Sequence, residues 1–306
     1  MKTALAVGAA AALLALTACG TGTGGTADDP GTPSGTSADP GTMPTSVPPP
    51  EGDVVGVGTV MDTGDETAPE LCLGAVAESY PPQCSGVPLV AWDWAAVGRT
   101  YERSGDVRWG SYAVTGRYDG TTLTVTQDPV TSALYDAPAP AGDPYVTACP
   151  EPEGGWRVVD PDRVGFEDQD AVMATAVQLP GYAGSFVDGA SFAGLEQPDA
   201  DQPVDDASRI IVNVLVTEDV EGAEQALREV WGGALCVTRA EHTEQELLAI
   251  QDQLTDLPGL LSSGTQLDQV VADVLWDDGT LQAWADATYG KGLVRITPAL
   301  REVPSG

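Results

Sequence analysis

The chain has 306 residues, of which 46 are Asp or Glu and 13 are Lys or Arg, so its formal net charge is −33. Such an acidic surface repels the phosphates of nucleic acids and the anionic headgroups of lipids, which excludes nucleic acid as a partner and excludes purely electrostatic membrane binding. About 250 residues follow residue 52, enough for one large domain or two ordinary domains with hydrophobic cores.

The first 18 residues predict a signal peptide. Lys2 precedes an apolar run over residues 4–16, which is shorter than the roughly 20 residues of a bilayer span but typical of a secretory segment. Leu-Thr-Ala-Cys at residues 16–19 resembles the lipobox of bacterial lipoproteins, in which the cysteine is lipidated. The resemblance implies a lipid anchor on Cys19 at the extracytoplasmic face of the membrane. The alternative is an ordinary signal peptide with an incidental cysteine.

Residues 19–52 predict a disordered tether after the anchor. They are Gly, Thr, Ser, Pro and Asp, with almost nothing that a core would bury. A flexible chain of this length has a root-mean-square reach of roughly 30 Å, which lifts a folded domain away from the headgroups. We therefore expect contact with the membrane through the lipid alone.

Residues 53–130 predict a small β-barrel or Greek-key domain of the OB-like kind. Short strand patterns alternate with turns, and no helix pattern intervenes. The alternation in residues 54–60 is typical of a strand, and a hairpin is expected with Asp119 and Gly120 at its turn.

The sequence Trp-Asp-Trp places Trp92 and Trp94 on one face of a further strand in this domain. Two interpretations of the pair stay open. The rings form a stacking platform for sugars, or at least one of them fills the barrel core. We favour the core, because aromatic side chains bury the most area and a small barrel has few other large residues.

Four cysteines predict disulfides in an exported chain. Cys72 and Cys84 bracket a loop rich in Gly, Pro and Ser, and closing it would contribute about 3 kcal/mol. We pair Cys149 with Cys236 as the second bridge; four cysteines allow three pairings, and the short first loop favours this one. Because the remaining cysteines, Cys149 and Cys236, are far apart in sequence and His242 is the only histidine, we expect no zinc or other metal site.

Residues 71–94 carry the patterns Leu-Cys-Leu-Gly, Pro-Pro-Gln-Cys and Trp-Asp-Trp in that order. Together with the lipobox, they resemble uncharacterised secreted lipoproteins of actinobacteria. The resemblance is strongest over the lipobox and the first domain. It implies export and lipidation, and it implies no activity.

Residues 131–207 predict an irregular connecting segment with one short helix that starts near Glu167. An acidic stretch broken by proline ends this segment and predicts a domain boundary near Ser208. Its aspartates lack the glycine and terminal glutamate of an EF-hand calcium loop, so we interpret them as solvated linker charge. These residues are Asp199, Asp201, Asp205 and Asp206.

Residues 208–306 contain an internal repeat, because the strand pattern of residues 210–216 recurs at 270–276. Each copy is followed by an amphipathic helix and a second strand, which predicts two βαβ units. The expected architecture is one four-stranded, ferredoxin-like sheet with an inserted helix. The whole chain is therefore predicted to belong to the α+β class.

Helix ends in this domain also have sequence signals. Thr243 and Glu246 have the spacing of a capping box, which predicts that the inserted helix begins there. Glycines follow an aromatic residue at Gly232 and Gly290, where we expect the left-handed conformation that stops a helix.

His242 is the one side chain whose ordinary pKa suits a general base near neutral pH. It lies directly before the Thr243 cap, so we favour packing over the first helical turn. No GxSxG elbow or cysteine nucleophile pattern accompanies it, although a Ser-His-Asp triad assembled from distant positions stays open. No catalytic residue is assigned, and no phosphate-binding loop or dinucleotide fingerprint predicts a cofactor.

Two classes of function stay open from the sequence. The first is a non-catalytic surface lipoprotein that binds a cell-wall component, a peptide or another envelope protein. The second is a cell-wall or carbohydrate-active hydrolase that uses paired carboxylates. We favour the first class, because the sequence contains no recognisable set of catalytic residues. The sequence does not define the oligomeric state.

Overall fold

The computed structural model describes residues 41–65, 67–136, 142–189 and 207–303. Cys19 and the four linker aspartates lie outside these ranges. The described residues form an α+β protein with a closed five-strand β-barrel and additional sheets. None of the helices within these ranges has the length and hydropathy that a bilayer span requires.

The N-terminal half of the described chain is built from short strands. They are β1 (Val54–Asp62), β2 (Glu70–Cys72), β3 (Val87–Val90), β4 (Glu102–Ser104), β5 (Val107–Tyr118), β6 (Leu123–Val125) and β7 (Val130–Thr131). A single turn of 3₁₀ helix follows at Ser132–Leu134.

Five of these strands close the predicted barrel. β1 pairs antiparallel with both β2 and β5, β2 pairs antiparallel with β3, β3 runs parallel to β6, and β6 pairs antiparallel with β5. The predicted hairpin turn joins β5 to β6, where Asp119 accepts backbone hydrogen bonds and Gly120 has φ +99°. β3 ends at Val90, so Trp92 and Trp94 follow the strand instead of lying on it.

The C-terminal half mixes helices and strands. Its elements are α1 (Phe166–Ala176), β8 (Tyr182–Asp188), β9 (Ile211–Val216), α2 (Val220–Arg228), β10 (Ala234–Arg239), α3 (Glu244–Gln253), β11 (Leu260–Gln266), β12 (Gln269–Val274), α4 (Thr280–Tyr289), β13 (Val294–Pro298) and β14 (Leu300–Glu302). A 3₁₀ turn at Ala207–Arg209 precedes β9.

The order helix, strand, strand, helix, strand occurs twice in this half. We call α1 to β10 (residues 166–239) the first repeat and α3 to β13 (residues 244–298) the second repeat. Both contain the predicted βαβ unit, since β9 runs parallel to β10 and β12 runs parallel to β13.

The predicted single four-stranded, ferredoxin-like sheet is not confirmed. Each βαβ unit lies in its own three-stranded sheet, in the orders β10-β9-β8 and β11-β12-β13. The third strand of each sheet, β8 or β11, is antiparallel to its neighbour. Both are edge strands with Gly and Ser among their middle residues, and these residues do not signal a strand in sequence.

Helices cover one face of each sheet. The first core includes Val212, Val214 and Leu227, and the second includes Ala272, Leu281 and Trp284. The opposite face of the first sheet is covered by residues 143–164, which we call the cover segment.

The cover segment is held to the first sheet by several contacts. The predicted disulfide between Cys149 and Cys236 is present, and Trp156 packs on a small cluster with Ile211. The amide of Asn213 donates to Thr147 Oγ1 at 3.0 Å. This part of the segment that the sequence predicts to be irregular therefore covers the sheet face opposite the helices.

Both ends of the described chain contact the barrel and the second repeat. β14 pairs with β1, and Trp276 and Leu300 belong to the barrel core. Val47 packs against both cores, and Met43 packs against the second repeat. The last residues of the predicted disordered tether are therefore packed, because Met43 and Val47 supply apolar side chains that the surrounding Pro, Ser and Thr residues obscure.

The helix ends agree with the sequence signals at two places and differ at one. The Thr243–Glu246 capping box is present, and Gly290 has φ +105° after α4. Gly232 serves a different purpose, because a Cβ there would lie 2.0 Å from the carbonyl oxygen of Asp160. Glycine at this position allows the cover segment to approach the backbone closely.

Candidate functional site

Trp92 and Trp94 close one end of the barrel. Both pack against the barrel core, and their ring centroids are 5.3 Å apart in an edge-on arrangement. Trp92 also lies 5.4 Å from the ring of Tyr112, which is fully buried. Through these contacts both tryptophans pack against the barrel core, the role that the sequence analysis favours. Sugar stacking by the same rings stays a prediction.

A partly buried ion pair fixes the position of Trp94. Asp62 is only 7 % exposed, and its Oδ2 accepts from Trp94 Nε1 at 2.8 Å and from the Arg108 guanidinium at 2.6 Å. The same guanidinium lies 5.1 Å from the centroid of the Trp94 ring. Charge, hydrogen bond and cation–π contact therefore hold this end of the barrel together.

The loop between β1 and β2 lines a polar cavity beside the predicted Cys72–Cys84 disulfide, which is present. Its volume is about 270 Å³, and its acids include Asp65 and Glu70. Hydrogen bonds from the hydroxyl and backbone of Thr67 lower the pKa of Asp65. A lowered pKa keeps Asp65 charged, which is the opposite of what the general acid of a glycosidase requires.

His242 lies at the start of α3, as the sequence predicts, and its ring faces the turn between β11 and β12. Nδ1 of the ring is 3.3 Å from Asp268 Oδ1. Among the described residues, no serine or cysteine is within hydrogen-bonding distance of the ring. The structure therefore brings His242 together with an acid 26 positions away but places no nucleophile beside it.

A groove lies where the barrel meets the second repeat, and we call it the junction groove. Its volume is about 420 Å³, within the range of small-molecule sites. Three parts of the chain line it: the segment before β1, the β5–β6 turn, and the ends of two loops in the second repeat. The lining residues are Thr45, Ser46, Val47, Tyr118, Gly120, Pro258, Gly259, Leu275 and Trp276.

The walls of the junction groove are uncharged. They combine the hydroxyls of Thr45 and Ser46, backbone, two largely buried aromatic rings and apolar side chains that include Val47 and Leu275, with no acid, histidine or cysteine. The Tyr118 hydroxyl donates to the Gly120 carbonyl. Burial raises the pKa of Tyr118, and nearby Asp119 adds to the effect, so the phenol stays neutral. Trp276 Nε1 donates to the Pro48 carbonyl at 2.9 Å, which holds the segment before β1 in place.

A second, smaller groove adjoins the first and shares Gly259 and Leu275 with it. Its volume is about 220 Å³, and leucines from β2 and β11 face each other across it. Strands β2 and β3 thus lie beside the second repeat.

Sequence reasoning found the disulfides and the aromatic pair but not the junction groove. The groove combines residues more than 200 positions apart, and no single motif contains residues from all three of its walls. The apolar Val47 inside a polar stretch is the one signal that could have indicated a packed segment. No protein-family model, curated protein or solved structure matches this chain.

Proposed function

We propose that the protein is a lipid-anchored extracytoplasmic lipoprotein that binds a neutral glycan segment of the cell envelope in the junction groove. The observation that carries the binding role is the uncharged, hydroxyl-bearing wall of that groove. A site with neutral walls suits a ligand that has hydroxyls and no net charge, since a charged ligand there would lose solvation without gaining a partner.

The connectivity of the barrel supports this choice of ligand. The closed five-strand barrel, with a parallel pair between the third and fifth barrel strands, resembles OB-folds, which bind oligonucleotides or oligosaccharides on the second and third strands and on adjacent loops. The β5–β6 turn at Gly120 is one of those loops, and it lines the groove. The net charge of −33 excludes the oligonucleotide.

Two features support the extracytoplasmic location. Both disulfides are of the kind that persists in an oxidising compartment. The Leu-Thr-Ala-Cys pattern at residues 16–19 supplies the anchor on Cys19. A location outside the membrane would give the groove direct access to the cell wall.

The binding role can be tested by filling the groove. Ser46 is exposed on its rim, so Ser46→Trp places a large ring in the groove without disturbing a core. We expect the purified full-length variant to lose co-sedimentation with isolated cell walls and to fail to complement a deletion strain. Ser111→Trp is the matched control, because Ser111 is exposed on β5 outside the groove.

Binding of Ser46→Trp at the wild-type level would contradict the groove as the site. Release of soluble sugars from the walls by the wild-type protein would instead favour the hydrolase class.

A further inference from the structure

Three side chains with metal-ligand chemistry meet at the junction of the two repeats. Glu241 and His242 follow β10, and Asp268 lies in the turn between β11 and β12. One ligand atom from each residue lies within 4.8 Å of the others. The three residues lie at the surface, where an ion from solvent can reach them.

Asp268 is held in a fixed orientation. Its Oδ2 accepts from the backbone N–H of Glu241, and its Oδ1 accepts from the backbone N–H of His242, both at 2.9 Å. Each carboxylate oxygen keeps a second lone pair that can bind another partner. Carboxylates that ligate metals are commonly fixed by such hydrogen bonds.

The distance between the ring and this carboxylate matches metal ligation better than a strong ion pair. Nδ1 of His242 is 3.3 Å from Asp268 Oδ1, whereas a charge-assisted hydrogen bond is about 2.7–2.9 Å. Two ligands that each lie about 2.0 Å from a tetrahedral ion are about 3.3 Å apart. The pair therefore spans one edge of a zinc-sized tetrahedron.

The surrounding charge also suits a cation. The exposed carboxylate of Glu246 accepts hydrogen bonds from the backbone and hydroxyl of Thr243, the residue that follows His242. Glu246 therefore adds another acidic side chain near the cluster. The net charge of −33 raises the concentration of cations near the surface.

We propose that Glu241, His242 and Asp268 form a binding site for Zn²⁺ or a similar divalent transition-metal ion. One imidazole and two carboxylates favour such an ion over Ca²⁺ or Mg²⁺, which take six or more oxygen ligands. Two carboxylates balance its charge, and the fourth tetrahedral position stays open to water or to a ligand. The bound ion joins the connection between the two repeats to the turn between β11 and β12.

The test uses the untagged mature protein after chelation and dialysis, with Zn²⁺ added in competition with a chromophoric chelator. We expect one Zn²⁺ per chain, and affinity at least about tenfold weaker in His242→Ala and in Asp268→Asn. Asp252→Asn is the control, because it removes an exposed carboxylate elsewhere and should leave the affinity unchanged. Circular dichroism establishes that each variant is folded.

A nuclear magnetic resonance titration gives an independent readout. His242 is the only histidine, so its ring signals are unambiguous and should shift on addition of Zn²⁺ but not of Ca²⁺. Absence of Zn²⁺ binding, unchanged affinity in His242→Ala, or ring signals that ignore Zn²⁺ would each overturn the proposal.

Discussion

The first and second repeats have the same order of elements and the same helix-covered sheet face, but the opposite faces of their sheets differ. In the first repeat this face is sealed, with Asn213 only 2 % exposed under the cover segment. Asp273 occupies the corresponding position of the second repeat and is half-buried, with Ser262 donating to its Oδ2 at 2.7 Å.

The strand register extends this comparison to the neighbouring strands. Cys236 pairs with Asn213, and Thr297 pairs with Asp273, so a disulfide cysteine in one repeat corresponds to a threonine in the other. On the second sheet, Arg295 donates to Gln266 and Gln269 across the strands. The same βαβ sheet can therefore be covered by a disulfide-linked segment, as in the first repeat. It can also carry polar side chains that hydrogen-bond to one another, as in the second repeat.

The largest effect on the free energy of unfolding is expected from removing the disulfide that attaches the cover segment to the first repeat. The Cys149–Cys236 bridge spans 87 residues, and the loop-closure model gives it about 4.6 kcal/mol of stabilisation. The double variant Cys149→Ser with Cys236→Ser should lose that amount in urea unfolding and expose the cover segment to proteolysis. The double variant Cys72→Ser with Cys84→Ser, which opens a 12-residue separation, should lose about 3 kcal/mol. A smaller loss from the longer loop would contradict this ranking.

Exchanging the equivalent polar residues tests the two faces directly. Asn213 donates to Thr147 Oγ1 and to the Ile211 carbonyl, and a carboxylate cannot donate to either. Asn213→Asp should therefore cost about 3 kcal/mol at pH 7, because it buries an unpaired charge. Asp273→Asn keeps an acceptor for Ser262 and should cost less than about 0.5 kcal/mol. Similar losses in the two variants would show that both faces are equally accessible to water.

Substituting one glycine on each side of the comparison tests how closely the backbone is packed in the two repeats. Gly232→Ala would drive a methyl group into the carbonyl of Asp160 and should cost about 2 kcal/mol by overpacking. Gly264 lies on the open face, and a Cβ there has nothing within 4 Å. Gly264→Ala should therefore leave the free energy of unfolding nearly unchanged, measured by the same urea titration. An equal effect at both positions would argue against close packing of the cover segment.

The smallest effect is expected at the cap of α3. Thr243→Ala removes the Oγ1 acceptor of the Glu246 backbone N–H and should cost about 1 kcal/mol at pH 7. The backbone and hydroxyl of Thr243 lower the pKa of Glu246, so the part of the cap that depends on this carboxylate is present above the ordinary value of 4.5 and is lost as the pH falls through the lowered folded-state value. Thr243→Ala removes only the hydroxyl's share of that part, so thermal melts from pH 7 to pH 3 should show the difference between the two proteins becoming smaller in acid without disappearing. A constant difference would exclude a contribution from the bond between the Thr243 hydroxyl and the carboxylate.

The sequence predicts the fold well wherever a local pattern determines the structure. The alternation in β1, the capping box at Thr243 and the repeated strand motif each act over a few residues, and each predicts its element correctly. β8 and β11 have no such pattern, because Gly and Ser interrupt both strands and pairing with the neighbouring strand determines their conformation.

The candidate sites were harder to predict because they depend on tertiary contacts. The junction groove joins Ser46 to Trp276, and the proposed metal site joins His242 to Asp268. Neither pair has a sequence spacing that belongs to a known motif. Metal sites are recognised in sequence by clustered cysteines and histidines, whereas this site combines one histidine with two acids.

The central claim, that this chain is a lipid-anchored protein outside the membrane, is tested most directly by the mass of its N-terminal peptide from the membrane fraction. We predict a mature chain that begins at Cys19 and carries a diacylglyceryl group, and we predict that Cys19→Ala moves the protein to unprocessed precursor or to the medium. Retention of Cys19→Ala in the membrane at the mature length, or an unmodified Cys19 in the wild-type peptide, would contradict the claim.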